Sequence, residues 1–422
     1  MSGIKGNAIV AQSGGPTAVI NASACGVIQA ALKSEAIRGV YGAYNGILGV
    51  LQEEIFDIGA EGAETVELMK TTPSAAIGSC RYKLKKIEED RVDFERVLEV
   101  FKAHDIRYFF YAGGNDSMDT AAKVKKLSEE LGYELIVMGV PKTIDNDLAC
   151  TDHCPGYGSV AKFIAASVME AGRDTESLWT FDTCAVLETM GRNAGWIAAA
   201  GALARRSPED APHLIYVPEA RFTREKFVED VRRVHGELGR CFIVASEGVA
   251  WEDGTCVAED TSALAKDSFG HAQLGGVAQV LKKIIEDELG LKTRWMMPGL
   301  TQRNAMHFAS RTDRDEAYMS GAEAVRQATG GTSGKMVTLE RVSSSPYRCE
   351  TGLAKLEDVA NGEKKLPRDW LNEAGNMPNG KFIEFARPLI EGEVEVPMEG
   401  GLPRFMRFKR KWLPKKCAEY DV

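Results

Sequence analysis

At 422 residues, with 44% hydrophobic and 27% charged residues, the chain has the balance of a globular protein and is too long for one ordinary core. Its net charge of −9 argues against general nucleic-acid binding, so a phosphate-bearing ligand must be met by particular arginines and lysines. The nine cysteines are scattered without framework spacing, which reads as reduced thiols in a cytoplasmic protein, and no apolar run reaches membrane-spanning length.

Strand-like and helix-like segments alternate from Asn7 to about Val342, the pattern of parallel sheets covered by helices. Asn7 to Ala11 is predicted as a first strand. It enters Ser13-Gly14-Gly15-Pro16 and then Thr17 to Lys33, whose small and apolar residues suit a helix packed closely on a sheet. Ala36 to Val40 follows as a strand, and Arg81, in the loop Ile77-Gly78-Ser79-Cys80-Arg81, is suited to stabilising charge on a transferring phosphoryl group. The predicted strand Arg107 to Tyr111 leads into Gly113-Gly114-Asn115-Asp116-Ser117, ahead of a helix from near Asp119. Paired glycines let backbone N–H groups approach an anion, and a helix N-terminus favours negative charge.

The apolar run Glu134 to Val140 then ends in Pro141-Lys142-Thr143-Ile144-Asp145-Asn146-Asp147. Open α/β sheets bind ligands beyond the carboxyl ends of their strands. In this loop Lys142 suits an anion, Asp145 a proton and Asp147 a cation, which is much of the equipment of phosphoryl transfer. Cys150, His153 and Cys154 match no zinc spacing. Further strands are predicted at Thr183 to Leu187, Leu214 to Val217, Cys241 to Ala245 and Arg294 to Met297. Met190-Gly191-Arg192 follows the first and Glu247-Gly248 the third, and Arg294, Gln302 and Arg303 extend this row of polar groups. Paired arginines suit bidentate recognition of a sugar phosphate. After about Arg341 the chain becomes loop-rich. The basic stretch Arg404 to Cys417, interleaved with Phe405, Phe408 and Trp412, reads as a solvated face or as packing onto the acidic body in preference to a nucleic-acid patch.

Gly14-Gly15, Gly78-Ser79-x-Arg81, Gly113-Gly114-x-Asp116-Ser117, Thr143-Ile144-Asp145-Asn146-Asp147, Met190-Gly191-Arg192, Glu247-Gly248, Arg294 and Gln302-Arg303 together resemble the 6-phosphofructokinases, in that family's order over roughly residues 7 to 335. The resemblance implies an α/β fold of two Rossmann-like domains with mostly parallel sheets and an active site in the cleft between them. Residues 1–155 with approximately 303–340 would form the phosphoryl-donor domain, approximately 156–302 the sugar-phosphate domain, and approximately 341–422 a C-terminal extension packed on the body. It further implies Asp145 as the base acting on the sugar's 1-hydroxyl, assisted by Lys142 and Arg81. Thr143, Met190, Gly191, Arg192, Glu247, Arg294 and Arg303 would join Asp145 around the sugar phosphate, with Arg294 reaching from a neighbouring subunit of a homodimer or homotetramer. Gly14, Gly15, Gly114, Asp116 and Lys142 would face the donor, and Asp116 and Asp147 would hold Mg2+.

Family members that use ATP carry glycine where Asp116 and Lys142 stand, whereas the pyrophosphate-dependent branch resembles this chain at both positions. A carboxylate at Asp116 repels the α-phosphate of a nucleotide, and Lys142 adds positive charge for a compact diphosphate. The expected reaction is therefore reversible phosphorylation of fructose 6-phosphate by pyrophosphate, in glycolysis and gluconeogenesis, with sedoheptulose 7-phosphate as the rival acceptor and ATP as the rival donor. Three positions depart from the family pattern: Asn115 replaces a magnesium-associated aspartate, Leu300 a sugar-site residue and Thr183 an intersubunit arginine. An NAD or lipid kinase is opposed by the Lys142 to Asp147 loop. A silent regulatory subunit is opposed by the joint retention of Arg81, Lys142, Asp145 and Asp147. Gly14-Gly15-Pro16 does not continue as a dinucleotide fingerprint.

Overall fold

The computed structural model describes residues 4–82, 84, 91–178, 180–258 and 276–421, which form an α/β protein with two main sheets. The larger sheet contains β1 (Gly6–Gln12), β2 (Ile37–Ala43), β3 (Ile55–Asp57), β4 (Ile106–Gly113) and β5 (Ile136–Pro141). The smaller contains β6 (Cys184–Thr189), β7 (Leu214–Tyr216), β8 (Cys241–Ser246) and β9 (Thr293–Met296), all parallel, in the order β7-β8-β6-β9. The chain then returns to the larger sheet as β10 (Lys335–Ser344) and β11 (Tyr347–Lys355), giving the order β11-β10-β5-β4-β1-β2-β3 with the short strand Lys411–Trp412 beyond β3.

Burial explains the strand sequences. In β4 the consecutive residues Tyr108, Phe109, Phe110 and Tyr111 are all buried, because a parallel strand with helices on both faces has no polar side to alternate with. The return to the larger sheet is made by the helix Arg311–Thr329, which packs along the helix Ile20–Leu32. Small residues permit the approach: a Cβ at Gly26 would lie 2.1 Å from the Tyr318 carbonyl oxygen, and one at Gly321 would lie 2.0 Å from that of Ser23.

Several boundaries differ from the sequence reading. The first helix begins at Ile20 instead of Thr17, because the Thr17 hydroxyl accepts from the N–H groups of Val19 and Ile20 and caps the turn. The helix predicted from near Asp119 begins at Asn115, since Ser117 and Met118 N–H both donate to the Gly114 carbonyl. The change of character read at Arg341 falls inside the β10–β11 hairpin, whose antiparallel register pairs Lys335 with Lys355 and Ser344 with Tyr347. β3 is too short for its periodicity to show. The basic tail runs across this sheet: Phe408 and Trp412 pack on Phe56 at 5.4 and 5.8 Å between ring centroids, and the Glu53 carboxylate accepts from the N–H groups of Lys416 and Cys417.

Candidate active site

The loops after β1, β4 and β5 lie side by side at the carboxyl edge of the larger sheet. Lys142 leaves β5 with its backbone N–H donating to the Gly113 carbonyl at 3.1 Å, while its buried ammonium donates to the Gly15 carbonyl at 2.9 Å. That crossing depends on the glycines. Gly14 adopts φ 75°, and a Cβ there would stand 3.2 Å from the ammonium, whereas one at Gly15 would stand 3.1 Å from Arg303 Nη1 and 3.9 Å from Arg81 Nη2. Ser79 Oγ donates to the Gly14 carbonyl at 2.7 Å and Gly14 N–H to that of Cys80 at 3.0 Å, so the loop carrying Arg81 is tied to the same turn.

Three cations therefore converge on Gly14-Gly15. Burial pushes the Lys142 ammonium down to about 8; the Asp145 and Asp147 carboxylates oppose this, and Arg303 and Arg81 add to it. Burial also lowers Arg303, with Arg81 contributing and Asp145 opposing. Arg303 Nε is buried and has no hydrogen-bond partner among the described residues. Three positive groups drawn close together make this turn a region of positive potential suited to an anion.

The carboxylates stand opposite. Asp145 N–H donates to Thr143 Oγ1 at 3.1 Å, and the Thr143 hydroxyl opposes the upward shift that burial gives the Asp147 carboxyl. Asp145 is raised by burial, then by Asp147 and Glu247, against the pull of Lys142 and Arg192; Asp147 is likewise raised by burial. A carboxyl shifted upward is a better proton acceptor than an ordinary aspartate. Between them Asn146, fully buried, takes φ 55°; its Oδ1 accepts from Cys154 N–H at 3.0 Å, and its Nδ2 has no partner among the described residues.

The smaller sheet supplies the other wall. Gly191, at φ 125°, donates its N–H to Glu247 Oε1 at 3.2 Å and accepts at its carbonyl from Ser246 Oγ at 2.5 Å, joining the loops after β6 and β8. Glu247 is raised by burial, with Arg192 opposing. Met190 N–H donates to Gln302 Oε1 at 3.0 Å, so the segment carrying Arg303 is anchored to the same loop. Asp116 is exposed in the first turn of the helix Asn115–Glu130, just after Gly114. The neighbouring Asn115 side chain donates to the Gly362 carbonyl at 2.6 Å.

The two remaining arginines expected at the sugar phosphate are placed differently from one another. Arg303 sits against the Gly14-Gly15 turn as well as near Asp145. Arg294 is on the edge strand β9, exposed, with Nε and Nη2 on Asp182 Oδ2 at 2.7 and 2.6 Å, close to the start of β6 instead of its carboxyl end. Of the departures, Leu300 is 63% exposed and Thr183 Oγ1 is engaged by His235 Nε2 at 2.9 Å. His153, Glu316 and Cys349 lie within metal-ligating reach of one another, yet His153 already uses both ring nitrogens, on Asp152 at 2.8 Å and Glu316 at 2.7 Å. A buried hydrogen-bond network accounts for them. Lys364, which reaches the Asp147 backbone from the C-terminal segment, was invisible in the sequence because Glu363-Lys364-Lys365 resembles any surface charge run.

Comparison with known proteins identifies the family. The phosphofructokinase family model matches residues 7–328. The chain is 48% identical over 418 residues to the pyrophosphate–fructose 6-phosphate 1-phosphotransferase of Halomonas elongata, covering 99% of each chain, and 49% identical to that of Methylococcus capsulatus, covering 98% of each. The crystal structure of the pyrophosphate-dependent phosphofructokinase from Marinobacter aquaeolei superposes with a TM-score of 0.90 at 44% identity, over 99% of this chain and 100% of that one. The chain belongs to the phosphofructokinase family.

Proposed function

We propose that this chain transfers a phosphoryl group from pyrophosphate to the 1-hydroxyl of fructose 6-phosphate, reversibly, giving fructose 1,6-bisphosphate and phosphate. The observation that carries the reading is the crossing of buried Lys142 over the Gly14-Gly15 turn beside Arg81 and Arg303. It makes a compact site of high positive charge, with the Asp116 carboxylate at the helix start beyond it. Full-length relatives named for the same reaction support it.

In the mechanism, Asp145 takes the proton of the 1-hydroxyl as the oxygen attacks the terminal phosphorus, and the bridging bond of the anhydride breaks to release phosphate. Arg81, Lys142 and Arg303 hold the donor and neutralise charge on the group in flight, so positioning and electrostatics do most of the work. Arg192, Glu247 and the Gly191 backbone orient the sugar opposite. Mg2+ suits the oxygen donors Asp116 and Asp147, where it would neutralise charge on the diphosphate. Residues 1–155 with approximately 303–340 form the donor half in this reading and approximately 156–302 the sugar half. Arg294, turned outward onto Asp182, would serve the site of a second copy, which makes the working enzyme a homodimer or homotetramer. The nine free cysteines suit a cytoplasmic setting, and no helix among the described residues is long and apolar enough to cross a membrane.

The test is a coupled assay offering pyrophosphate or ATP against fructose 6-phosphate or sedoheptulose 7-phosphate. Pyrophosphate with fructose 6-phosphate is expected to give the highest specificity constant; preference for ATP would overturn the donor assignment, and preference for the seven-carbon sugar the acceptor assignment.

A further inference from the structure

The segment Glu363 to Leu366 lies beyond the residues matched by the family model, yet it is wedged between the two halves of the site. Lys364 N–H donates to the Asp147 carbonyl at 2.7 Å, and its own carbonyl accepts from Trp196 Nε1 at 3.1 Å. Leu366 N–H donates to Glu219 Oε1 at 2.9 Å, and the same oxygen accepts from Gly195 N–H at 3.0 Å. One short stretch thus joins the Asp145–Asp147 turn to the end of the Met190–Gly195 loop.

The Lys364 side chain points inward at the same junction. Its ammonium donates to the Asp152 carbonyl at 2.7 Å, the Thr151 carbonyl at 3.2 Å and Asn146 Oδ1 at 3.4 Å, and stands 5.4 Å from the centroid of the Trp196 ring. Asn146 is the left-handed residue between the two carboxylates, a conformation asparagine tolerates, and its side-chain oxygen is the atom Lys364 engages. If the space needed only filling, an apolar side chain would serve with less desolvation cost. A charged group whose hydrogen-bond partners are two carbonyls and an amide oxygen points to orientation of the turn.

We propose that Lys364 is a positioning residue for phosphoryl transfer, holding the Asp145-Asn146-Asp147 turn in register with the sugar-phosphate loop without touching either substrate. The inference rests on the assignment of Asp145 as base. Misplacement of reacting groups by about 1 Å costs about 10²-fold, so a small shift of the turn is enough to matter.

The test is Lys364→Met in the full chain, which removes the ammonium and leaves the backbone bonds, with Lys364→Arg as the conservative variant. For Lys364→Met the expected result is a fall in kcat of about 10- to 100-fold with half-saturating concentrations of both substrates changed by less than about threefold, and recovery of most of the loss in Lys364→Arg. Retention of more than about half of the turnover, or a loss seen as raised half-saturating concentrations, would overturn the proposal. If Lys364→Met does not fold, Lys364→Gln is read by the same criteria. Asp145→Ser is measured alongside: near-normal turnover there would remove the base assignment itself, whatever the Lys364 variants do.

Discussion

The carboxyl edge of the larger sheet and the β9 edge of the smaller one both carry exposed-looking basic sequence, but they hold their charges in opposite ways. At the first, Lys142 is buried and donates to a carbonyl, with two arginines adding to its positive field. At the second, Arg294 and Lys292 are exposed and satisfied by the buried Asp182. Positive groups drawn together and removed from water favour the entry of an anion. Charge already paired at a surface needs no such anion, and in the proposed reading Arg294 reaches toward a second copy.

The largest effect that tests this contrast is at Asp145. Asp145→Ser is expected to lower turnover by about 10²–10⁴-fold with unchanged thermal unfolding, because general-base catalysis contributes about that much. Arg303 comes next, and it tests the placement of that side chain against the donor turn. Arg303→Ala removes a charge-assisted contact worth about 1.5–3 kcal/mol, and kcat/KM for pyrophosphate should fall by about 10- to 150-fold. A loss confined to fructose 6-phosphate would return Arg303 to the acceptor side alone.

Donor choice should divide between two residues. Asp116→Gly is expected to raise the ratio of specificity constants for ATP over pyrophosphate by relieving repulsion, whereas Lys142→Gly should chiefly weaken use of pyrophosphate. A ratio unmoved by Asp116→Gly would show that the carboxylate does not exclude nucleotides. Lys142 also sets a pH limit. Its depressed value means that the cation is present below about 8 and lost as pH rises through it, so kcat/KM for pyrophosphate should decline across that range. In Lys142→Arg, which stays charged, the alkaline decline should move upward, and an unchanged profile would assign it to another group.

Arg294→Ala is expected to lower activity less than Asp145→Ser does, and mixing the two variants shows whose site Arg294 serves. If Arg294 completes a neighbour's site, unfolding and refolding Asp145→Ser with Arg294→Ala should restore activity, since a hybrid holds one site with both native residues. No gain over the separate variants would place Arg294 outside the active site.

Much of this was legible because parallel sheets force their loops into one place. Apolar runs such as Leu135 to Val140 marked strands, the residues following them marked the carboxyl edges, and from that the grouping of Gly14, Gly114, Lys142 and Asp145 followed. Short antiparallel β3 left no such mark, and the β10–β11 hairpin was obscured because its outer positions are polar and exposed.

By itself the sequence determined which residues could act on a phosphoryl group and in which loops, since strand burial and loop chemistry are local properties. The tertiary structure decided which cation meets which anion. It brought Arg303 onto Gly15, sent Arg294 outward to Asp182, and drove Lys364 beneath Asn146 from more than two hundred residues away. Each of these contacts joins segments far apart in the chain. Burial of charge is fixed by that packing, and nothing in the neighbouring sequence encodes it.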